Sequence, residues 1–475
     1  MSTNISRRKV VAGAAWAAPV VAASAAVPAF ASSTECEWNS TENYSISGQP
    51  SGARDTLKIT IPAKVDKLRF EVAGGAGGGS AQVAGGSGAL VTGEIPVKAG
   101  QVVELVAAAG GVAYLASEPG VDSAAIWQTR PATGGKGYGN GGDVNEQPVP
   151  ADAKARVEAN APMPSDMKRY LYGGSGGGSS ALIIDGTPIA VAGGGGGAGI
   201  RTQPGTNNMP SSSPFYNPKA VNASTTSLGD TAVKSVLPAG ASASAAAGGD
   251  AETSISHYTV LKPYANERTA MKVAGGKGGN GGVGGAGGEQ PLLYNDANFY
   301  GVLGFTSQNK QELFSSATAG DKGGSGFDGK GADGVFAYSY QIDNNDISKL
   351  EIVHQTNPLN LNEKRPYSEK DTRKSFNGYQ TVVSAGGGAG YGGGGSGAAR
   401  GLSSIITSQK WNANEEPTRY RQNVSALLQA GAGGAGGSYV SPTVPNGIIA
   451  SANNAAKQSG VRNPGYVKVT LCTRS

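Results

Sequence analysis

The chain has 475 residues and a formal net charge of +5, from 39 Lys and Arg against 34 Asp and Glu. Arg7, Arg8 and Lys9 supply three of those positive charges, so the remainder offers no electrostatic case for binding nucleic acid. The 77 glycines are more than twice the usual share of about 7%, but they follow no strict three-residue period, which excludes collagen. Since large aliphatic residues are few and the net charge is small, we expect a folded chain in which something other than an aliphatic core fills part of the volume.

Residues 1–31 are typical of an export signal. Ser6-Arg7-Arg8-Lys9-Val10-Val11 matches the twin-arginine signature, with Val-Val in place of the usual Phe-Leu. An alanine-rich apolar stretch follows, and Ala29-Phe30-Ala31 fits the small-x-small rule for cleavage before Ser32. The sequence therefore predicts export by the twin-arginine route and a secreted or surface-associated mature protein.

The alternative for the leader is a transmembrane anchor over residues 10–30, which is long enough to span a bilayer. Alanine is only weakly apolar, and Pro19 and Pro28 interrupt the stretch, so we favour cleavage. Contact with the membrane is then expected only through the uncleaved leader.

The two cysteines, Cys36 and Cys472, lie near opposite ends of the predicted mature chain. In an exported protein a disulfide between them is the better interpretation than two unrelated thiols. The chain-entropy description assigns the closure of so long a loop about 5 kcal/mol of stabilisation.

Alternating apolar residues predict β-strands, because successive side chains of a strand point to opposite faces. Asp185-Gly186-Thr187-Pro188 predicts a hairpin turn between two of these strands. No long segment has the period of an amphipathic helix, so the predicted fold class is all-β. The predicted strands are 57–61, 68–72, 89–91, 95–97, 102–106, 182–184, 189–191 and 466–471.

Runs of glycine separate the predicted strands, and polar segments without a pattern separate the runs. We interpret the polar segments as long loop insertions near 201–270, 335–380 and 401–430. The glycine runs are 134–142, 173–178, 193–199, 275–288, 323–334, 386–397 and 431–437.

A flexible linker is the simplest interpretation of such runs. However, they lack the serine density of linkers and join strands directly, as at 189–193. The alternative is a bundle of glycine helices in the polyproline II conformation, with three residues per turn and no internal hydrogen bonds. Neighbouring helices then bond to one another at distances that only a residue without a Cβ allows. Ordering glycine costs entropy, so many helices must pack together.

Several motifs in the chain resemble those of a known family. The most specific is the stretch 185–197, which reads Asp-Gly-Thr-Pro-Ile-Ala-Val-Ala followed by five glycines. Together these motifs resemble the bacterial glycine-rich domains, which are similar to the extracellular glycine-rich domain of anaplastic lymphoma kinase and leukocyte tyrosine kinase. The resemblance covers about residues 56 to 472, although the insertions at 201–270 and 335–380 are longer than the pattern. The other matching stretches are 70–75, 88–93, 96–101, 386–395 and 436–440.

The resemblance implies one composite domain over residues 32–475, a jelly-roll-like β sandwich with an attached bundle of glycine helices. No kinase signature is present, so it implies no kinase activity. In the receptors this region contributes to ligand recognition, and related bundles occur in phage adhesins, so the resemblance implies binding.

The sequence gives little support for a catalytic, nucleotide-binding or metal-binding motif. G-x-G-x-x-G strings arise by chance where glycine is this dense, and the stretch 324–330 resembles a phosphate loop but lacks the following Ser or Thr. The stretch 323–328 matches the start of a single calcium-binding repeat, whereas stacked repeats are needed. His257 and His354 have no nearby Cys or second His, and each is more typical of a surface or packed residue than of a metal ligand.

Tyrosines in the predicted insertions are candidates for an aromatic contact surface for a protein or glycan, with ordinary loop anchoring as the alternative. We therefore expect an exported, non-enzymatic, adhesin-like binding protein with no cofactor and no metal. A structural envelope protein without a specific ligand is the second hypothesis, and a hydrolase with two carboxylates at catalytic separation is the third. The candidate tyrosines are Tyr258, Tyr264, Tyr340, Tyr367 and Tyr379.

Overall fold

A computed structural model describes sixteen stretches of the chain, and its regular structure there is β throughout. None of the described residues forms a helix long and apolar enough to cross a membrane. The all-β prediction is confirmed, whereas the leader, with Arg7, Arg8, Ala29, Ala31 and Ser32, lies outside the described residues. The described residues are 36–79, 84–116, 128–147, 169–203, 219–222, 245–246, 248, 251, 254–262, 265–291, 316–342, 356–357, 360–364, 377–409, 420–455 and 459–474.

Two antiparallel sheets enclose the main core. The first sheet, in spatial order, consists of β1 (Glu37–Ser47), β25 (Tyr466–Thr473), β3 (Val65–Ala73), β4 (Ala89–Pro96) and β24 (Ile448–Ser451). The second sheet consists of β13 (Ala245–Ala246), β23 (Ser438–Val440), β10 (Thr187–Ala192), β9 (Ser180–Ile184), β5 (Val102–Ala107) and β2 (Asp55–Thr60).

The alternating pattern of the sequence fills the space between these sheets. Leu68, Phe70 and Val72 of β3 are buried against Leu105 of β5 and Leu182 of β9 in one apolar cluster. Each such side chain stabilises the fold by roughly 1.5–3 kcal/mol when it leaves water. The strands predicted at 57–61, 68–72, 102–106, 182–184, 189–191 and 466–471 all contribute to this cluster.

The predicted hairpin turn joins β9 to β10. Asp185 (φ 49°) and Gly186 (φ 79°) both adopt the left-handed conformation that a tight two-residue hairpin requires. The Asp185 carboxylate accepts hydrogen bonds from the Val102 amide (2.9 Å) and the Gln101 side chain (2.8 Å), and these bonds lower the pKa of Asp185. The turn is thereby fixed to the neighbouring strand β5.

A second pair of sheets encloses a smaller core. The third sheet consists of β12 (Lys219–Asn222), β11 (Ile200–Gln203), β22 (Tyr420–Ala430), β21 (Ala399–Gln409) and β16 (Ser316–Thr318). The fourth consists of β17 (Phe336–Ile342), β20 (Asn377–Val383) and β8 (Arg169–Tyr172), and β20 and β8 are parallel. Leu171, Ile200, Val382 and Leu428 meet in this second core.

The remaining described strands form two-stranded ribbons. They are β6 (Tyr114–Ala116) with β7 (Gln128–Arg130), β14 (Ser254–Lys262) with β15 (Ala265–Val273), and β18 (Thr356–Asn357) with β19 (Asn360–Lys364).

The expectation of irregular loops near 201–270, 335–380 and 401–430 is wrong where these segments are described, because each contains strands. β21 and β22, for example, pair antiparallel over eleven positions. Their apolar residues are spaced too irregularly to predict strands locally, and pairing with a partner strand decides their conformation.

The predicted disulfide is present and joins Cys36 to Cys472. It fastens the start of β1 to the end of β25, where Trp38 lies opposite Cys472 in the register. Cys472 is fully buried. A disulfide across the whole described chain is typical of an exported protein in an oxidising compartment.

Segments rich in glycine connect strands of the second core with strands of the main core. Residues 193–199 run from β10 to β11, residues 173–179 from β8 to β9, and residues 431–437 from β22 to β23. Almost every residue in these three segments is buried. We call the packed set of glycine-rich segments between strands the glycine array.

Successive residues of 193–197 face different neighbouring segments of the chain. Residues three apart, such as Gly193 and Gly196, face the same neighbouring segment. A Cβ on any of these glycines would overlap backbone atoms of that neighbour. Amide-to-carbonyl hydrogen bonds repeat with the same spacing: Gly194 donates to Ala389 (2.7 Å) and Gly197 to Gly386 (2.9 Å). The glycines and their neighbours are Gly193 with Gly436, Gly196 with Gly433, Gly194 with Gly177, Gly197 with Gly174, and Gly195 with Gly86.

Candidate functional site

Four turns of the glycine array lie side by side over the outer face of the second sheet. They are residues 137–140, 280–283, 325–329 and 390–392, and we call them together the tip surface. Glycines with positive φ allow three of these turns to reverse: Gly281 (57°) and Gly282 (80°), Gly326 (100°), and Gly392 (79°).

Backbone hydrogen bonds fix three of the turns, 280–283, 325–329 and 390–392, to one another. The Gly326 amide donates to the Gly282 carbonyl (2.9 Å), and the Gly392 amide donates to the Gly326 carbonyl (2.9 Å). The Gly390 amide donates to the Gly329 carbonyl (3.0 Å). The tip surface is therefore held by the array and does not depend on flexible side chains for its shape.

Aromatic residues from two of these turns and from β23 form one cluster. The Phe327 ring stacks on the Tyr391 ring with centroids 4.7 Å apart, and the Tyr439 ring of β23 meets Phe327 edge-on at 5.0 Å. The Tyr391 and Tyr439 centroids are 5.2 Å apart. All three residues are half-buried. Such contacts stabilise by about 0.5–1.5 kcal/mol per pair beyond burial.

Beneath the rings lies an apolar patch of the second sheet, made of Val106, Ile183 and Val191 with Ala181. Phe327, Tyr439 and Tyr138 pack against this patch. The neighbouring turn exposes Val283, whose surface is 56% accessible. The tip surface thus packs on the second sheet through Phe327, Tyr439 and Tyr138 and exposes the apolar Val283 on its outer side.

Carboxylates border the aromatic rings. Burial raises the pKa of the Tyr138 phenol, and the negative charges of Asp328 and Glu104 raise it further. Tyr138 therefore stays protonated at neutral pH and is able to donate a hydrogen bond. Glu104 pairs with Lys58 (3.2 Å). Asp328 is exposed and, among the described residues, makes no ion pair or hydrogen bond.

The predicted tyrosines are only partly brought together. Tyr340 of β17 lies directly opposite Tyr379 of β20 in the antiparallel register, and Tyr258 of β14 lies opposite Thr269. Tyr264 and Tyr367 lie outside the described residues.

Two of the predicted insertions meet in the second core. β17, from the insertion near 335–380, lies against β21 and β22, from the insertion near 401–430. These segments are therefore packed on one another at the end of the array away from the main core, where Tyr340 and Tyr379 are also located.

The stretch that resembles a phosphate loop forms a turn of the tip surface. Its Gly324 amide donates to the Lys330 carbonyl (2.7 Å), and the Lys330 ammonium pairs with Asp333 (2.7 Å). The Gly324 amide and the Lys330 ammonium are therefore already bonded to other groups of the array. No group of three or more His, Cys, Asp or Glu residues among the described residues is arranged to hold a metal ion.

Sequence reasoning missed the cluster of Tyr138, Phe327, Tyr391 and Tyr439. The signal that would have found half of it is an aromatic residue set between glycines, as in Gly137-Tyr138-Gly139 and Gly390-Tyr391-Gly392. Such a residue marks the point where a glycine segment turns back, because a side chain has room only outside the array.

Comparison with known proteins gives no relative: no protein-family model matches the chain, and no curated protein matches it.

Proposed function

We propose that the protein is an exported, non-enzymatic binding protein of adhesin type that presents its recognition surface on a glycine-rich scaffold. The observation that carries this proposal is the convergence of four distant glycine turns into one surface with aromatic side chains. Binding sites are commonly placed on loops that a rigid framework positions. The ligand is a protein or a glycan at the cell surface.

The scaffold in this proposal is a jelly-roll-like β sandwich with an attached bundle of glycine helices of the polyproline II type. Support comes from the two sheets around the main core and from the three-residue spacing of neighbours and hydrogen bonds along 193–197. A polyproline II helix has three residues per turn and leaves its backbone groups free to bond to neighbours. The resemblance to bacterial glycine-rich domains is consistent with the same scaffold.

Export by the twin-arginine route is part of the proposal. The Arg7-Arg8 motif and the cleavage pattern at Ala29-Phe30-Ala31 support it, and the Cys36–Cys472 disulfide agrees with an oxidising destination. The mature protein would be secreted or associated with the surface.

A binding screen of the full purified chain against arrays of glycans and of extracellular proteins tests the function. Saturable binding to one ligand class is expected. A structural envelope protein, the alternative, would remain in the envelope fraction yet show no saturable binding to any arrayed molecule, and that result would contradict the proposal.

A further inference from the structure

Three aromatic rings, two from the tip surface and one from β23, contact one another in a triangle. The ring centroids are 4.7 Å apart for Phe327 and Tyr391, 5.0 Å for Phe327 and Tyr439, and 5.2 Å for Tyr391 and Tyr439. A phenol gives up an electron together with its hydroxyl proton, whereas the phenylalanine ring has no hydroxyl group. Within the triangle, the Tyr391–Tyr439 pair is therefore the contact between two oxidisable rings.

Backbone hydrogen bonds hold these two tyrosines side by side. The Tyr391 amide donates to the Gly437 carbonyl (2.8 Å), and the Gly437 amide donates to the Gly392 carbonyl (2.8 Å). The chain continues from Gly437 through one residue to Tyr439, which lies opposite Val191 in the second sheet. The fold therefore sets the contact between the two rings from both sides.

Neighbouring atoms leave the Tyr391 ring little room to move out of this contact. The Phe327 ring stacks on it, and a Cβ on Gly282 would lie 2.9 Å from one of its carbons. Both tyrosines are half-buried, so part of each residue remains accessible to solvent. Reactive groups held in contact react much faster with each other than with groups on a second molecule, because the entropy of bringing them together is already spent.

The side chains that the structure describes include no second contact between two tyrosine rings. Tyr138 packs on the same apolar patch but makes no ring contact with Tyr391 or Tyr439. Burial and then the nearby carboxylates raise the pKa of Tyr138, so this phenol also gives up its proton less readily. The Tyr338 ring lies 6.1 Å from the ring of Phe336, which has no hydroxyl group.

We propose that Tyr391 and Tyr439 form an oxidative cross-linking site, at which a carbon–carbon bond joins the two rings as dityrosine. Each phenol loses one electron and one proton, and the two radicals combine at ring carbons beside the hydroxyl-bearing carbons. The hydrogens on the joined carbons then move to the oxygens, which restores both phenols. The pair has lost two electrons and two protons in total. A peroxide accepts them, and hydrogen peroxide becomes two molecules of water.

This inference goes beyond the proposed binding function and does not depend on it. The new bond fastens the turn 390–392 to β23 and thereby fixes the tip surface covalently to the second sheet. The Cys36–Cys472 disulfide is typical of an oxidising compartment outside the cytoplasm, where peroxides are not countered by the cytosolic thiols.

Photo-oxidation of the dilute, purified full chain tests the site. Tris(bipyridine)ruthenium(II) serves as the one-electron carrier, and persulfate is the peroxide that takes up the two electrons and becomes two sulfates. Mass spectrometry of the digested monomer is expected to show a linked peptide pair that contains Tyr391 and Tyr439 and is lighter by two hydrogen atoms. Absence of this pair, or coupling of other tyrosines in its place, would overturn the inference.

Conservative variants localise the bond. Tyr391→Phe and Tyr439→Phe each keep the ring and remove one phenol, so both are expected to lose the linked peptide pair and most of the dityrosine fluorescence of the monomer. Tyr138→Phe is the matched control and is expected to retain both signals. Thermal unfolding checks that the variants are folded, and the wild-type mass spectrum decides the proposal if one is not. Undiminished fluorescence in a folded Tyr391→Phe or Tyr439→Phe variant would contradict the assignment.

Unfolding the chain separates contact from chance reactivity. In guanidinium chloride with the disulfide reduced, the fold no longer holds the two tyrosines together. The yield of the Tyr391–Tyr439 peptide pair is then expected to fall to that of other tyrosine pairs. Equal yields of this pair from the folded and the unfolded chain would show that the fold does not position it, and the inference would be wrong.

Discussion

At the scale of single residues, the absence of a side chain is the decisive feature of the glycine array. The Gly195 amide donates to the Gly75 carbonyl (2.9 Å), and its own carbonyl accepts from the Gly177 amide (2.9 Å). A Cβ at Gly195 would overlap the backbone of Gly86. Three neighbouring segments therefore approach this one residue, and each approach depends on its being glycine.

Gly195→Ala is expected to reduce the free energy of unfolding by about 3 kcal/mol or more. Overpacking costs roughly 1–3 kcal/mol, and each buried backbone group that loses its partner adds roughly 1–3 kcal/mol. Denaturant unfolding measures the loss. The control is Gly186→Asn, where the Cβ position is open and Asn tolerates the left-handed φ. Equal stability of the two variants would show that the segment is not packed.

The raised pKa of Tyr138 predicts that the free energy of unfolding depends on pH. Its pKa is raised in the folded protein by burial and then by Asp328 and Glu104, so as the pH rises the unfolded chain loses this proton first. The stabilisation is complete below the ordinary tyrosine pKa of about 10 and is lost as the pH rises through the higher folded value. When the pH is raised from about 8 to about 11, the free energy of unfolding should therefore fall less for Tyr138→Phe than for the wild type.

Denaturant unfolding at both pH values checks this expectation. Asp328→Asn removes one of the two charges that raise the pKa of Tyr138, so its loss of stability should lie between those of the wild type and Tyr138→Phe. Identical pH profiles for all three proteins would contradict the assignment.

At the scale of elements, β1 is held in two different ways. Residues Asn43 to Ser47 pair continuously with β25, but the register shifts between Trp38 and Asn43. The beginning of the strand depends on the Cys36–Cys472 disulfide and on the Arg69 guanidinium, which lies 4.2 Å from the centre of the Trp38 ring. The disulfide therefore secures the part of β1 that backbone pairing secures least.

Cys36→Ser is expected to lower the free energy of unfolding by about 2–4 kcal/mol while leaving the β content unchanged. Hydrogen exchange should accelerate at Glu37 and Trp38 and stay slow from Asn43 to Ser47, because only the former depend on the disulfide. Wild-type protein treated with a reductant serves as the control and should behave like the variant. Two titratable thiols in the denatured, unreduced protein would disprove the bond.

At the scale of the whole molecule, the glycine array joins two apolar cores into one unit. Its segments come from positions more than a hundred residues apart, such as Gly75 and Gly195, or Gly174 and Gly386. Such an array forms only when most of the chain is in place, since each segment needs neighbours on several sides. The proposed twin-arginine route carries folded proteins, which is consistent with this requirement.

Changing Arg7 and Arg8 together to lysine is therefore expected to abolish export, because the twin-arginine route requires the paired arginines. Immunoblots of cell and culture fractions measure the processed protein, and Lys9→Arg is the matched control that leaves the pair intact. Normal amounts of processed protein outside cells carrying the double variant would rule out this route.

Seven of the eleven strands around the main core were predictable because their signal is local, whereas β1, β13, β23 and β24 were not predicted. Leu68, Phe70 and Val72 alternate within five residues, and Asp185-Gly186 specifies its turn by conformational preference alone. β21 and β22 carry no such pattern, and their extended conformation follows from pairing with each other and packing in the second core. Local patterns report which face is buried, but they do not report a partner strand that lies elsewhere in the chain.

By itself, the sequence determined the all-β class, seven of the eleven strands around the main core and the pairing of Cys36 with Cys472, because alternation, turn chemistry and a single pair of cysteines leave few alternatives. Only the tertiary structure decided which glycine segments are neighbours and where their turns meet. Glycine has no side chain to encode a partner, so its contacts depend on the strands that anchor each segment. For the same reason Phe327 and Tyr391, 64 residues apart in the chain, stack only in the folded molecule.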